Sequence, residues 1–231
     1  MIDQAMILAA GLGTRMRPLT DELPKPLVQV KGRPMIDHIV DRVQAGGIKK
    51  IIVNTHYRAE MMQNHLTGRG VIISHEPKLL DSGGGLKLAL PHFAERPFFA
   101  INADSLWQDN KENAFQAMIK KYDAAKMDAL LLLYPRENST NVSAMGDVLM
   151  NGDGRISFRE GATQAPYNYM GIQILHPRLF AGAPEGPFSV RILWQKAVAA
   201  GRAYGHLYSG KWWHVGSIDE LKAAETSFPS L

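Results

Sequence analysis

The run Ala5–Ala10 (Ala-Met-Ile-Leu-Ala-Ala) constrains the fold of this chain most, because it is wholly apolar and stops at Gly11 and Gly13. A short apolar run bounded by turn residues reads as a buried strand. The glycines let the backbone turn sharply and approach a ligand with no Cβ in the way. Two guanidiniums follow, Arg15 and Arg17, and then Lys25 set between Pro24 and Pro26. A glycine loop after a strand, with fixed cations behind it, suits a polyphosphate. A plain turn leading to the next element would use the same two glycines. Two familiar phosphate loops do not fit. A dinucleotide fingerprint puts a third glycine where this chain has Met16, and a P-loop continues into Gly-Lys-Ser/Thr, which does not follow here.

A buried strand needs covering layers, and the chain supplies them. Met35, Ile36, Ile39, Val40 and Val43 have helical spacing, which predicts a helix over 35–45 ended by Gly46 and Gly47. A β-branched strand is expected over 49–54, a helix over 59–66 and a strand over 71–74. A helix over 85–90 stops before Pro91, and an apolar strand follows over 98–102. A helix over 114–125 and an apolar strand over 128–134 complete the pattern. This alternation argues for a mostly parallel sheet with helices on both faces. The second half differs. Asn151-Gly152-Asp153-Gly154 lies between two apolar ends, a hairpin signal over 148–158. Strands are expected over 169–175 and 203–208, and a helix over 189–200 capped by Ser189. Ser217 with Glu220 three residues on forms a capping-box pattern for a last helix over 217–226. Irregular residues 136–143 and 161–167 read as mobile loops. The expected architecture is a Rossmann-like α/β fold, a mostly parallel mixed sheet flanked by helices. The hairpin region is a small β-rich insertion into one domain spanning residues 1–231.

The chain has 231 residues and a net charge of +4 with no long block of one sign, a balance that suits small anions and is too diffuse to argue for nucleic acid. It has no cysteine, which removes disulfides, thiolate catalysis and Cys-ligated zinc, and is compatible with a reducing cytoplasm. The N-terminus lacks the basic and long apolar regions of a signal peptide, and no run approaches the ~18 apolar residues of a membrane span. A cytoplasmic protein with no membrane partner is expected; the oligomeric state is not legible.

Downstream, Asn102-Ala103-Asp104 closes a predicted strand. A carboxylate there points into the crevice where α/β sheets bind ligands, and one or two carboxylates suffice to tie Mg²⁺ to substrate phosphates. Asn and Asp at a strand end also simply make turns. Glu76 is able to accept a hydrogen bond from a base N–H, or to be a solvated loop charge. Gly83-Gly84-Gly85 before a helix permits close approach to a flat or anionic group, or a flexible helix entry. His214, in Trp212-Trp213-His214-Val215-Gly216 at the opening of the last helix, is either a metal ligand or a packed side chain. Neither His-Glu-x-x-His spacing nor a Gly-x-Ser-x-Gly elbow is present, which counts against a zinc or serine hydrolase.

The full set is long and specific: the apolar strand, Gly11, Gly13, Arg15, Arg17-Pro18-Leu19-Thr20 and Pro24-Lys25-Pro26-Leu27, with Glu76 to Gly85 and Asn102 to Asp104. It resembles the signature of the sugar-1-phosphate nucleotidylyltransferases. The shortness of the chain and its Ser82-Gly83-Gly84-Gly85 element are most similar to the bacterial N-acetylmuramate-1-phosphate uridylyltransferases of cell-wall recycling. The resemblance implies the nucleotide-diphospho-sugar transferase fold, with residues 1–134 binding nucleotide and 135–231 binding sugar phosphate. It also implies transfer from a nucleoside triphosphate, UTP first, to a sugar 1-phosphate, N-acetylmuramic acid 1-phosphate first. A mannose-1-phosphate guanylyltransferase, or a non-catalytic nucleotide-sugar-binding regulatory subunit, stands as the alternative.

By that resemblance Leu8, Ala10, Gly11 and Gly13 line the nucleotide, and Glu76 and Gly84 meet the base. Arg15 and Lys25 are the catalytic cations. Asp104 binds Mg²⁺, and Glu160, Asn168 and Tyr169 face the sugar. One departure is clear. The family usually carries a second metal-binding aspartate where this chain has His214. Imidazole is a poorer ligand than carboxylate for hard Mg²⁺. His214 then ligates a softer ion such as Mn²⁺, or contacts phosphate through a metal-bound water, or marks a degraded metal site.

Overall fold

Ala5, Met6 and Ile7 have no exposed surface, and the strand that holds them, β1 (Gln4–Leu8), lies inside a nine-stranded sheet. The computed structural model describes residues 2–139, 145–161 and 163–229. After the glycine loop come two short strands, β2 (Gln29–Val30) and β3 (Arg33–Pro34). Helices and strands then alternate through α1 (Met35–Ala45), β4 (Lys50–Thr55), α2 (Ala59–Leu66), β5 (Val71–His75), α3 (Asp81–Ala89) and β6 (Phe98–Asn102). Next are β7 (Ser105–Gln108), α4 (Ala114–Lys121) and β8 (Ala129–Pro135). The remainder supplies β9 (Val148–Met150), β10 (Ile156–Phe158), β11 (Tyr167–Leu175), α5 (Arg191–Ala199), β12 (Ala203–Leu207), β13 (Lys211–His214) and α6 (Ile218–Ser227).

Strands β6, β1, β4 and β5 form a parallel block in that order. β11 runs antiparallel between β6 and β8, and β12 adds to β8 in parallel. The β9–β10 hairpin joins through Val148 opposite Tyr167. Along β1 the side chains alternate between two apolar layers. Ala5 and Ile7 pack with Ile36 and Ile39 of α1 and Met118 of α4, and Met6 packs with Leu86 of α3 and Leu193 of α5. Covered on both faces, this is the expected Rossmann-like mixed sheet. Full burial of one such Met or Ile side chain is worth about 1.5–3 kcal/mol, so β1 is a firm base for the loop it feeds. The two parts expected on either side of Tyr134 share one sheet, since β11 lies between β6 and β8.

The site follows from topology. From β1 the chain goes outward to β4 and β5 and returns on the other side of β1 as β6. That reversal opens a crevice at the strands' C-terminal ends, the usual ligand position in α/β sheets. Leu8 is in register with Asn102 there, and Ala103 N donates to Leu8 O at 3.1 Å.

Three local expectations are corrected. Gly83 to Gly85 do not precede a helix; they lie within α3, which begins at Asp81. A Cβ on Gly83 would collide with the Phe188 ring, on Gly84 with Gly186 O and on Gly85 with Glu76 Oε1, so the glycines let α3 pack closely. α4 ends at Lys121, because the Asp123 carboxylate accepts from Ala125 N at 2.9 Å and starts a turn. Trp212 to His214 form β13 against β7, with His214 opposite Ser105 and Trp212 Nε1 donating to Ser105 Oγ at 2.7 Å. Of the two segments expected as mobile loops, residues 140–143 and 162 lie outside the described residues. Among the described residues no helix is long and apolar enough to cross a membrane.

Candidate active site

The glycine loop owes its shape to Gly13, at φ 66°, where a Cβ would press on Lys25 and Thr20 at 3.0 Å. Its carbonyl accepts a hydrogen bond from Thr20 Oγ1 at 2.8 Å. Gly11 is different, because a Cβ there would meet no protein atom within 4 Å. The space it leaves belongs to a cavity of about 220 Å³ lined by Leu8, Gly11, Gly13, Arg15, Lys25 and Asp104. Arg15 sits on a single turn, Thr14–Met16, anchored by the fully buried Met16. Arg17 points elsewhere and pairs with exposed Asp21 at 3.2 Å. Pro24 leads into a second turn, Lys25–Leu27, that places Lys25 Nζ 2.5 Å from Asp104 Oδ2.

Asp104 is the electrostatic centre of this cavity. Burial pushes its carboxyl up, but Lys25 and His214 outweigh that and hold it far below the usual carboxylate range. Its Oδ1 is buried with no hydrogen-bond partner. An orphaned carboxylate oxygen beside a phosphate-sized cavity fits a hard divalent cation. Among the described residues no three His, Asp or Glu side chains gather as a metal cage, so a cation held by Asp104 would need its other ligands from substrate and water.

His214 lies between two carboxylates. Its Nε2 is 3.6 Å from Asp104 Oδ2, and its Nδ1 is 3.0 Å from Glu220 Oε1. Glu220 Oε2 also accepts from Gly216 N at 2.8 Å and Ser217 Oγ at 3.0 Å. The expected capping pair is thus present, with the carboxylate turned toward Gly216 and the imidazole. Burial lowers the His214 pKa, but Asp104 and then Glu220 outweigh it and raise it. The imidazole is engaged on both sides, by Asp104 and by Glu220, so this donor set fits a cation through the unpartnered Asp104 Oδ1. A Cβ on Gly216 would fall 2.8 Å from Arg15 Nη2, so the bare backbone at Gly216 gives Arg15 its place.

Beyond Asp104 a second cavity, of about 260 Å³, is bordered by Arg15, Asp147, Tyr169, Gly171, Trp212 and His214. The Tyr169 hydroxyl is buried without a partner, and burial together with Asp104 pushes the phenol well above its ordinary pKa. Asp147 Oδ2 accepts from Tyr169 N at 3.3 Å. Asn168 is fully buried behind this wall, with Nδ2 donating to Ser139 Oγ at 3.0 Å and Oδ1 unpartnered. Glu160 is exposed and does not line the cavity.

On the other side of the loop a third cavity, of about 450 Å³, is bordered by Leu8, Ala10, Gly11, Asn54, Glu76 and Ser82. Glu76 has no exposed surface, and its carboxylate accepts from Asn54 Nδ2 at 2.7 Å and Leu80 N at 3.0 Å. Gly84 is not on this wall, and its N–H donates to Phe188 O at 3.1 Å. Arg15, Lys25, Asp104, His214, Tyr169, Leu8, Ala10, Gly11 and Gly13 therefore meet in one groove. Asn168 supports the groove from behind, and Glu160 and Gly84 stand off it.

Asn54, Asp147, Gly216 and Glu220 border or shape the groove and carry no motif in the sequence. Only Glu220 left a trace, as the capping partner of Ser217. The groove has a cation-rich middle over an orphaned carboxylate oxygen and a cavity at each end. That arrangement suits anionic ligands whose phosphates would lie in the middle.

Comparison with known proteins gives the family and the fold. Residues 4–229 match the family described as Nucleotidyl transferase. The chain is 40% identical over 229 residues to the N-acetylmuramate alpha-1-phosphate uridylyltransferase of Caulobacter vibrioides, covering 96% of this chain and 95% of that one. It is 29% identical to the enzyme of the same name from Neisseria meningitidis serogroup B, covering 96% of each. A crystal structure of HddC from Yersinia pseudotuberculosis complexed with GMP-PN shares the fold, with a TM-score of 0.80 at 20% identity over 99% of this chain and 100% of that one. The strand, loop and cations that open this chain, the groove they build and the full-length matches together make it a member of the sugar-1-phosphate nucleotidylyltransferases, enzymes that move a nucleotidyl group from a nucleoside triphosphate to a sugar 1-phosphate.

Proposed function

We propose that the protein transfers UMP from UTP to N-acetylmuramic acid 1-phosphate, releasing pyrophosphate. The observation that carries this reading is the 40% identity with the Caulobacter vibrioides enzyme over 96% of this chain. In this reading the 450 Å³ cavity takes the base, the 220 Å³ cavity the phosphates and the 260 Å³ cavity the sugar. Leu8, Ala10, Gly11 and Gly13 line the nucleotide. Tyr169 meets the sugar, and Asn168 holds its strand in place.

The chemistry needs no covalent intermediate. An oxygen of the sugar phosphate attacks the α-phosphorus, the bond to the β-phosphate oxygen breaks, and that oxygen leaves with the bonding pair as pyrophosphate. A phosphate monoester is already anionic, so positioning and charge neutralisation carry the catalysis. Arg15 borders both the phosphate and the sugar cavities, where it neutralises charge that moves onto the leaving group. Lys25 holds the phosphates at the reacting centre and is kept there by Asp104. Mg²⁺ or Mn²⁺ at Asp104 would supply further charge neutralisation to the phosphates. We place the reaction in the cytoplasm, in the recycling of peptidoglycan.

Pyrophosphate release from four nucleoside triphosphates paired with N-acetylmuramic acid, N-acetylglucosamine, glucose and mannose 1-phosphates, each with Mg²⁺ and with Mn²⁺, tests this. UTP with N-acetylmuramic acid 1-phosphate should give the highest kcat/KM. A preference for GTP with mannose 1-phosphate would overturn the reading in favour of a guanylyltransferase.

A further inference from the structure

Between the glycine loop and α3 runs a chain of three hydrogen bonds, two buried and the third part-buried. Ala9 N donates to Asn54 Oδ1 at 2.6 Å, Asn54 Nδ2 donates to Glu76 Oε1 at 2.7 Å, and Leu80 N donates to Glu76 Oε2 at 3.0 Å. Asn54 is 3% exposed and Glu76 has no exposure. Each end reaches a wall of the 450 Å³ cavity, since Ala9 is followed by Ala10 and Gly11, and Leu80 by Asp81 and Ser82. A separate observation shows that the fold makes room for this bridge. The Cβ missing from Gly85 would fall on Glu76 Oε1, with Asn54 Nδ2 2.9 Å away.

The bridge has a direction. Both of its outer groups are backbone N–H donors, Ala9 at one end and Leu80 at the other. The two side chains between them must therefore present an acceptor at each end and one donor–acceptor pair in the middle. An amide joined to a carboxylate meets that demand; two carboxylates or two amides do not. In a buried site a mismatched pair leaves a polar group unsatisfied or sets like groups against each other.

We propose that Asn54 and Glu76 are positioning residues that fix the width of the base site by tying the glycine loop to the start of α3. The inference rests on reading the 450 Å³ cavity as the base site. Neither residue touches the reacting atoms, so the bridge acts on nucleoside triphosphate binding and not on the chemical step.

The polarity supplies the test. Asn54→Asp sets two carboxylates face to face, and Glu76→Gln sets two donors against each other. The double variant N54D/E76Q restores the pattern in the opposite sense. Its carboxylate, now on β4, would accept from Ala9 N and from the introduced amide, and the oxygen of that amide would accept from Leu80 N. Binding of the four nucleoside triphosphates is measured directly, together with kcat, both KM values and a thermal melt. Each single variant should weaken UTP binding and raise its KM on the order of 10-fold, with kcat and the sugar 1-phosphate KM within about 2-fold. The double variant should recover most of that loss. If either single variant does not fold, Asn54→Ala, which removes two of the bonds without adding a charge, should show the same split. A folded double variant no better than the worse single, or single variants that move both KM values alike, would overturn the bridge alone. Wild-type protein that binds none of the four triphosphates would overturn the base-site reading and the inference with it.

Discussion

The phosphate wall and the sugar wall of the groove are built differently. On the phosphate wall Lys25, Asp104, His214 and Glu220 form one chain of paired charges. Lys25 sits 2.5 Å from Asp104, and His214 lies between Asp104 and Glu220. On the sugar wall the Tyr169 hydroxyl is buried and without a partner. Mutually paired charges are ready to be redistributed when phosphates arrive, and preorganised charge of this kind acts on the transition state. Unpaired hydrogen-bonding groups wait for a ligand with matching hydroxyls, and they act on recognition. In the proposed reading, rate and sugar choice belong to separate walls, and substitutions on each should separate kcat from KM.

The largest effect should come from Asp104, which both walls share. Asp104→Ala removes the carboxylate that fits a divalent cation and also frees Lys25. Divalent-stimulated turnover should fall by about 10³-fold or more, read from rates across a Mg²⁺ titration. Retained Mg²⁺ stimulation would remove Asp104 from the metal site and break the phosphate wall as described. Arg15→Ala comes next. It should lower kcat by about 10²–10³-fold and leave both KM values within a few-fold. A near-normal kcat with a raised KM would put Arg15 among the binding groups and erase the contrast between the walls.

How much of this was legible depended on how locally each feature is encoded. A strand buried on both faces appears as a contiguous apolar run, so β1 and β8 were plain. Gly11, Gly13, Arg15 and Lys25 stand out because glycines and cations crowd into one short stretch directly after an apolar strand. Asn54 was hidden, since an amide at the end of a strand looks the same whether it faces water or a buried carboxylate 22 residues on. β13 reads in the sequence as the opening of the last helix because Trp212 to His214 is too short a stretch to show a period of two. What makes it a strand is β7, which lies about a hundred residues earlier. The triple glycine was noticed for a ligand and serves packing, because its neighbours Phe188, Gly186 and Glu76 are brought there by tertiary structure. Asp147 lies beside the hairpin, where no spacing rule applies.

A smaller effect tests the sugar wall. Tyr169→Phe deletes a buried hydroxyl that has no partner in the protein. Removing it should leave the melting temperature unchanged or slightly raised, because no internal hydrogen bond is lost. The KM for the sugar 1-phosphate should rise about 5–10-fold, the size of one hydrogen bond, with kcat and the nucleotide KM near wild type. A lower melting temperature with an unchanged KM would show that the hydroxyl serves the fold, and the sugar wall would lose its distinguishing group.

The smallest effect concerns the paired charges themselves. His214 has its pKa raised above 6.5, and Asp104 and Glu220 have theirs lowered from 3.8 and 4.5. A raised histidine stabilises the fold fully below its unfolded value, and that contribution is lost as pH rises through the folded value. The lowered carboxylates contribute above their unfolded values and lose that contribution as pH falls through their folded ones. All three contributions are therefore complete between 4.5 and 6.5, and the histidine's fades on the alkaline side. His214→Ala should cost more unfolding free energy in that window than at alkaline pH, by about 1.4 kcal/mol for every tenfold by which proton affinity is raised on folding. Denaturant unfolding of both proteins across pH measures the difference. A cost that does not change with pH would mean that the imidazole holds its place by packing, and His214 would then belong with the uncharged framework and not with the phosphate wall.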